Sequence, residues 1–248
     1  MIKSLSVIFP LYNEQYRLSK LFSEIKKQKY FKKRNIEFIF VNDGSNDKSL
    51  QMIEDFKSKN KKKINIKLIS YNKNKGKGFA IKKGVFLAKK NWILTMDIDL
   101  SVKFNQIEIW KNRKYFKKDI NVYFGSRLLL NSKVNAKEYR KITGNLFNLI
   151  LSFIFNRERL KIKDTQCGFK LYKNEIAKKI FLKSNENGYI NDVEILLLLL
   201  RYKIKLSELP VIWSHKDGSK VNILVDSLIM LYHLIKLKLK FNKFLVSV

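Results

Sequence analysis

An α/β fold built on a mostly parallel sheet flanked by helices is what the sequence predicts, and two observations predict it. Through the first hundred residues, short runs rich in Ile, Val, Phe and Leu alternate with longer stretches whose apolar residues recur at helical spacing. Polar chemistry follows the apolar runs, at the end of each, where open α/β sheets bind ligands. At 248 residues, 46% apolar and 13% aromatic, the chain can bury one sizeable core, and no stretch reads as a linker between domains.

The elements follow in order. Ser4–Pro10 reads as a strand and ends in Pro10-Leu11-Tyr12-Asn13-Glu14; Glu14–Gln28 then carries Leu18, Leu21, Phe22 and Ile25 on one helical face. Ile36–Val41 is the second strand, ending in Asn42-Asp43-Gly44-Ser45, with a helix over Asp47–Lys59. Ile64–Ser70 is the third, followed by the loop Tyr71 to Gly78 and a helix over Gly78–Lys89. Trp92–Met96 is the fourth and delivers Asp97-Ile98-Asp99. In extended chain residues two apart point the same way, so both carboxylates are expected to reach one hard divalent cation. Asn, Asp and Gly are ordinary turn formers, which explains any one of these strand ends but not four in succession.

Beyond residue 100 the alternation fades. Asn121–Ser126 reads as a further strand ending in Gly125-Ser126-Arg127, Leu146–Phe155 is an apolar segment, and a helix is expected from about Asp192 to Tyr202. The segment Leu224–Leu245 interleaves aliphatics with Lys236, Lys238, Lys240 and Lys243.

With 52 basic residues against 21 acidic ones, the formal net charge is +31, which favours a polyanionic partner: nucleic acid, an anionic membrane face or a phosphorylated substrate. The only cysteine, Cys167, excludes an internal disulfide and reads as a packed residue. The apolar run Leu5 to Leu11 is short and contains Pro10, unlike a signal peptide. No charge-free apolar run approaches the ~20 residues that span a bilayer, so membrane contact is expected to be peripheral. Gly76 and Gly78 lack the third glycine of a dinucleotide fingerprint, with Ile81 in its place, which argues against hydride transfer. His215 and His233 are too few for a zinc site.

Taken together, the segments PLYNE, NDGS, the Gly76-Lys77-Gly78 loop, DxDLS, GSR at 125–127, DTQCGFKLY at 164–172, NDVEILLL at 191–198 and the stretch from Glu208-Leu209-Pro210-Val211 to Gly218-Ser219-Lys220 resemble the family 2 glycosyltransferases of GT-A fold. The later motifs look most like the dolichyl-phosphate glucosyltransferase subgroup of the polyprenyl-phosphate branch. The resemblance implies a GT-A (Rossmann-like) domain over residues 1–220, followed by a basic amphipathic C-terminal segment over 221–248. It implies that Pro10, Tyr12, Glu14, Asp43, Lys77 and Asp97 hold a nucleotide-sugar, that Asp97 and Asp99 bind Mg²⁺ or Mn²⁺, and that Arg127, Arg140 and Lys220 face the acceptor phosphate. Asp192 and Glu194 match an acidic pair near the sugar and, with Arg127, complete the catalytic set. Three positions depart from the pattern: Asn42 where many relatives have aspartate, Ile98 where alanine is usual, and Asn191 in place of an aromatic residue.

The implied reaction is inverting transfer of glucose from UDP-glucose to a polyprenyl phosphate, by an enzyme peripheral on the cytoplasmic face of a membrane. A lipid monophosphate is largely dianionic at neutral pH and needs no strong base, whereas an alcohol acceptor would call on Asp192 or Glu194. The alternatives are a GDP-mannose-dependent transferase, a transferase acting on a glycan, and a basic nucleic-acid-binding protein; clustered strand-end carboxylates count against the last. Leu146–Phe155 and the lysine-laced C-terminus are the candidates for contact with an anionic membrane, set against a buried core helix for the first and packing on the domain or on a second subunit of a homo-oligomer for the second.

Overall fold

The structure is a computed structural model and describes residues 2–27, 35–135, 147, 149–155, 160, 162–216 and 223–246. Its centre is a seven-stranded sheet in the order β3-β2-β1-β4-β7-β5-β8, formed by β1 (Ser4–Leu11), β2 (Asn35–Asp43), β3 (Ile66–Tyr71), β4 (Trp92–Thr95), β5 (Val122–Ser126), β7 (Lys170–Lys173) and β8 (Leu206–Pro210). β6 (Lys133–Asn135) and β9 (Ile212–Ser214) pair separately. β1 lies parallel to β2 and β4, and β2 to β3; β7 runs antiparallel between β4 and β5, so β5 again points the way of β4.

The apolar runs of β1, β2 and β4 are strands buried on both faces, while β3 at the sheet edge is only partly buried. Leu5, Val7 and Phe9 of β1 face one core with Phe38 and Phe40 of β2, while Ile8, Ile39 and Val41 face the other. α1 (Gln15–Lys27), α2 (Ser49–Lys59) and α4 (Gln106–Asn112) cover the first face through Leu18, Leu21, Ile53, Phe56, Ile107 and Trp110. The second is covered by α3 (Lys77–Leu87), α5 (Asn174–Lys183), α6 (Asn191–Arg201) and α7 (Ile223–Val246).

Leu151 and Phe155 of the helical segment 149–155 enter the core while Leu149 and Phe153 stand in solvent, so it divides between the two expectations for it. α7 lays Leu234, Leu237 and Phe241 into the same core as α6. It is therefore packed on the domain along one face.

The chain leaves β3 at one edge and returns to pair β4 on the far side of β1, which makes the β1/β4 boundary a topological switch point. Pro10–Glu14, Asp43, the loop after β3 and Asp97–Asp99 all emerge there. Because β5 runs with β4 and β7 against it, Arg127 and the start of β7 come to that edge as well.

Candidate active site

The strand ends interlock. Asn13, at φ 53°, donates its backbone N–H to Ser45 Oγ at 2.8 Å, and its Oδ1 accepts from Asn46 N at 2.7 Å. Glu14 N donates to Ser49 Oγ at 2.8 Å. Asp43 fixes the next loop, its two carboxylate oxygens accepting from Lys75 N at 2.8 Å and Gly76 N at 2.9 Å. Gly76 holds φ 99°, and a Cβ there would stand 2.5 Å from the Asn187 carbonyl oxygen, so only glycine lets this turn close against the 184–190 loop.

Around these loops opens a cavity of about 430 Å³. Pro10, Tyr12, Glu14, Asp43, Lys77, Asp97 and Asp99 all line it, which brings together every residue expected to hold nucleotide-sugar or metal. Arg17, Asn74, Tyr189 and Lys216 line it too and were missed. Asn74 and Lys216 lie in the loop Tyr71 to Gly78 and the stretch 208–220 already singled out, and Arg17 lies one helical turn after Glu14, its Nη1 2.8 Å from Glu14 Oε2. Ile98 is buried in the cavity wall.

Asp97 and Asp99 do reach one cavity, but strand alternation is not what brings them there. β4 ends at Thr95; Ile98 and Asp99 form a turn, Leu100 has φ 56°, and Asp99 Oδ1 accepts from Ser101 N at 2.8 Å. Asp97 is held from two sides. Lys77 Nζ lies 2.6 Å from its Oδ1, while Gly168 stands so close behind that a Cβ would collide with the carboxylate. Burial works against the charged Asp97 carboxyl, but Lys77 above all, with Lys170 and Arg127, outweighs it and holds the group below the usual carboxylate range. Burial likewise disfavours the Lys77 ammonium, and Asp97 and Asp192 overcome this to raise it above its ordinary value.

Among the described residues no third His, Cys, Asp or Glu joins this pair in a metal-holding group. Two carboxylates opening on a roomy cavity fit Mg²⁺ or Mn²⁺, which take oxygen ligands and complete their shell with substrate phosphate and water.

Arg127 is less free than expected. Its Nε and Nη2 donate to Asp164 at 2.7 and 2.8 Å, its backbone N–H donates to the same carboxylate at 2.9 Å, and its guanidinium lies over the Trp213 ring, 5.8 Å from the centroid. Among the described residues Nη1 has no hydrogen-bond acceptor. Glu208 holds the far side, accepting from Lys163 N and Asp164 N at 2.7 Å each. Burial pushes the neighbouring Cys167 thiol up to about 12, as suits a packed residue.

The acidic pair on α6 divides. Asp192 pairs at 2.5 Å with the buried Lys170 and contributes to the field on Lys77, so it borders the site; the helix begins at Asn191, one residue before the expected start. Glu194 corrects the expectation of a base. It is wholly buried, absent from the cavity lining, and both oxygens are occupied: Oε2 accepts from Asn185 N and Glu186 N at 2.8 Å each, and Oε1 from Lys240 Nζ at 2.7 Å. A carboxylate so held braces the 184–190 loop. Arg140 and Lys220 lie outside the described residues.

The chain is similar to known glycosyltransferases in sequence and in fold. A dolichyl-phosphate β-glucosyltransferase of Dictyostelium discoideum is 32% identical over 248 residues, covering 96% of this chain and 74% of that protein. The human protein of the same name is 31% identical over 236 residues, covering 88% and 70%. Among solved structures, glucosyl-3-phosphoglycerate synthase from Mycobacterium tuberculosis in complex with UDP shares the fold at a TM-score of 0.67 and 13% identity, over 96% of this chain and 79% of that one. The same synthase has been solved with Mn²⁺ and UDP-glucose. Glycosyl transferase family 2 matches residues 6–181, most of the sheet and the whole Asp43/Lys77/Asp97/Asp99 cluster, and the chain belongs to that family.

Proposed function

We propose that the chain transfers glucose from UDP-glucose to a dolichyl-type polyprenyl phosphate, with inversion at the sugar carbon and with Mg²⁺ or Mn²⁺. One observation carries the reading: a single cavity gathers the strand-end acids and Lys77, in a chain about a third identical, over most of its length, to proteins named dolichyl-phosphate β-glucosyltransferases. In this reading Pro10, Tyr12, Glu14 and Asp43 shape the nucleoside end, and Lys77, at the amino end of α3, meets the diphosphate, where helix N-terminal amides favour anions. A divalent ion on Asp97 and Asp99 supplies Lewis-acid stabilisation of the leaving diphosphate.

The acceptor phosphate dianion is itself the nucleophile. One of its oxygens bonds to the sugar carbon as that carbon's bond to the diphosphate breaks; UDP leaves with the electron pair and no proton moves. Arg127, through its remaining N–H groups, and the arginine and lysine at 140 and 220 orient the acceptor. Asp192, paired with Lys170, shapes the field behind the sugar.

The lipid acceptor requires a membrane face. No helix among the described residues is long and apolar enough to cross a bilayer. α7, however, exposes Leu228, Tyr232, Ile235 and Leu239, at 71%, 65%, 50% and 72%, on the side opposite its buried Leu234, Leu237 and Phe241. The spacing of four, three and four makes one continuous stripe, and Lys236 stands exposed beside it. Leu149 and Phe153 are exposed on the neighbouring helical segment, whose Ile154 carbonyl accepts from Lys238. An apolar stripe edged with lysine suits the surface of an anionic bilayer, with the domain on the cytoplasmic side.

Calorimetry with Mn²⁺ present tests the donor: UDP is expected to bind more tightly than GDP. Tighter GDP binding would transfer the assignment to GDP-mannose.

A further inference from the structure

We propose that Lys77 is a placeholder for the divalent cation: its ammonium occupies Asp97 in the empty site, and it leaves that carboxylate for the donor diphosphate when metal and nucleotide enter together. The proposal rests on the reading of Asp97 and Asp99 as the metal's carboxylates.

The geometry makes Lys77 the movable member of a crowded charge cluster. Three cations act on Asp97: Lys77, Lys170 and Arg127. Lys170 is paired with Asp192 and nearly inaccessible, and Arg127 is locked by three hydrogen bonds to Asp164. Lys77 reaches Asp97 with its tip, 2.6 Å from Oδ1, and its side chain and that of Asp97 keep 27% and 39% of their surface in the open cavity. Its root is fixed, because the backbone N–H just before it is held by Asp43 and the turn is pressed against Asn187. Its four-carbon stem is not.

The carboxylate is backed by Gly168, which closes the space on that side. A dication arriving at Asp97 therefore meets an ammonium already on the oxygen it needs, and the two cations repel. A nucleoside diphosphate removes the conflict by offering Lys77 another anion within the same cavity, which Lys77 and Asp97 both line. Metal and nucleotide should then bind with positive coupling, part of which belongs to Lys77, and the coupling must appear in both directions.

The test is Mn²⁺ binding, read from the signal of the free aqua ion by electron paramagnetic resonance, for the full chain and Lys77→Met, with and without saturating UDP. The wild type should bind Mn²⁺ weakly alone and much more tightly with UDP. Lys77→Met should bind Mn²⁺ alone about tenfold more tightly, and the factor by which UDP improves Mn²⁺ binding should shrink about tenfold, within the usual range of such couplings. Lys77→Arg keeps the charge and should stay weak, separating charge from packing, with circular dichroism checking the fold of each variant. Unchanged or weaker Mn²⁺ binding by Lys77→Met, with UDP-dependent binding intact in the wild type, overturns the exchange alone. A wild type that binds no Mn²⁺ even with UDP overturns the metal assignment and the exchange with it.

Discussion

Each acid around the cavity meets a cation, a backbone amide or both, and that partnership sets how it responds to substitution and to pH. Asp97→Asn or Asp99→Asn keeps size and shape and removes the charge a divalent ion needs, so transfer should fall by about 10²-fold or more. Steady-state turnover with saturating metal, alongside an unchanged circular dichroism spectrum, checks this. Asp164 is different. Burial tends to raise its pKa, but the hydrogen bonds and charge of Arg127 outweigh this and hold it below the ordinary carboxylate range. A carboxyl depressed on folding stabilises the protein above its unfolded pKa of about 3.9 and loses that contribution as pH falls through its lower folded value. Asp164→Asn should therefore cost on the order of 3 kcal/mol at pH 7, because it strands a largely enclosed guanidinium, and the deficit should narrow below about pH 4. Urea unfolding at both pH values measures it. At this scale the sequence was legible where chemistry sits next to a strand, as at Asp43, Asp97 and Asp99. It was opaque where a partner lies far along the chain: Asp164 is 37 residues from Arg127, and Lys240 is 46 from Glu194.

Among elements, α7 changes most in meaning between sequence and structure. Its lysines suggested a row of heads for anionic lipid, yet Lys240 closes on the buried Glu194 and Lys238 on the Ile154 carbonyl, leaving Lys236 of those three exposed and without a part in these contacts. The membrane-docking surface we propose is consequently the apolar stripe. Substituting Ile235 and Leu239 with Glu should weaken binding to anionic vesicles by about tenfold per residue, with lipid-embedded activity following, while stability and activity on a short water-soluble acceptor persist. Lys240→Met should behave in the opposite way. It should cost about 2 kcal/mol of stability, less than a fully enclosed pair because solvent reaches Lys240, and should lower activity equally on both acceptors by loosening the 184–190 loop. Vesicle co-sedimentation and parallel assays separate the two. β1, β2 and β4 were readable because burial on both faces writes a nearly continuous apolar run, while β3, at the sheet edge, still shows apolar Ile66, Leu68 and Ile69 beside Lys67 and Ser70. β7 was hidden: it has four residues, begins and ends in lysine, and its buried Lys170 depends on Asp192 from another element. α4, of seven residues, is too short for its periodicity to speak.

For the whole molecule, a mostly parallel sheet with a switch point at β1/β4 gathers the ends of strands separated by tens of residues into one cavity, and that cavity is the donor site of the function proposed here. Of the 52 basic residues some are turned inward, since Lys77, Lys170, Arg127 and Lys240 each neutralise a carboxylate near the site or in the core beside it. That use of cations suits a substrate pair carrying a diphosphate and a phosphate. The most direct measurement is the mass of the lipid product after incubating the protein with Mn²⁺ and a short polyprenyl phosphate, in parallel with UDP-glucose, GDP-mannose and UDP-GlcNAc. A polyprenyl-phosphate hexose formed from UDP-glucose, and lost when the metal is chelated, is the predicted result. Product from GDP-mannose instead, or no sugar on the lipid with any donor, would contradict the account.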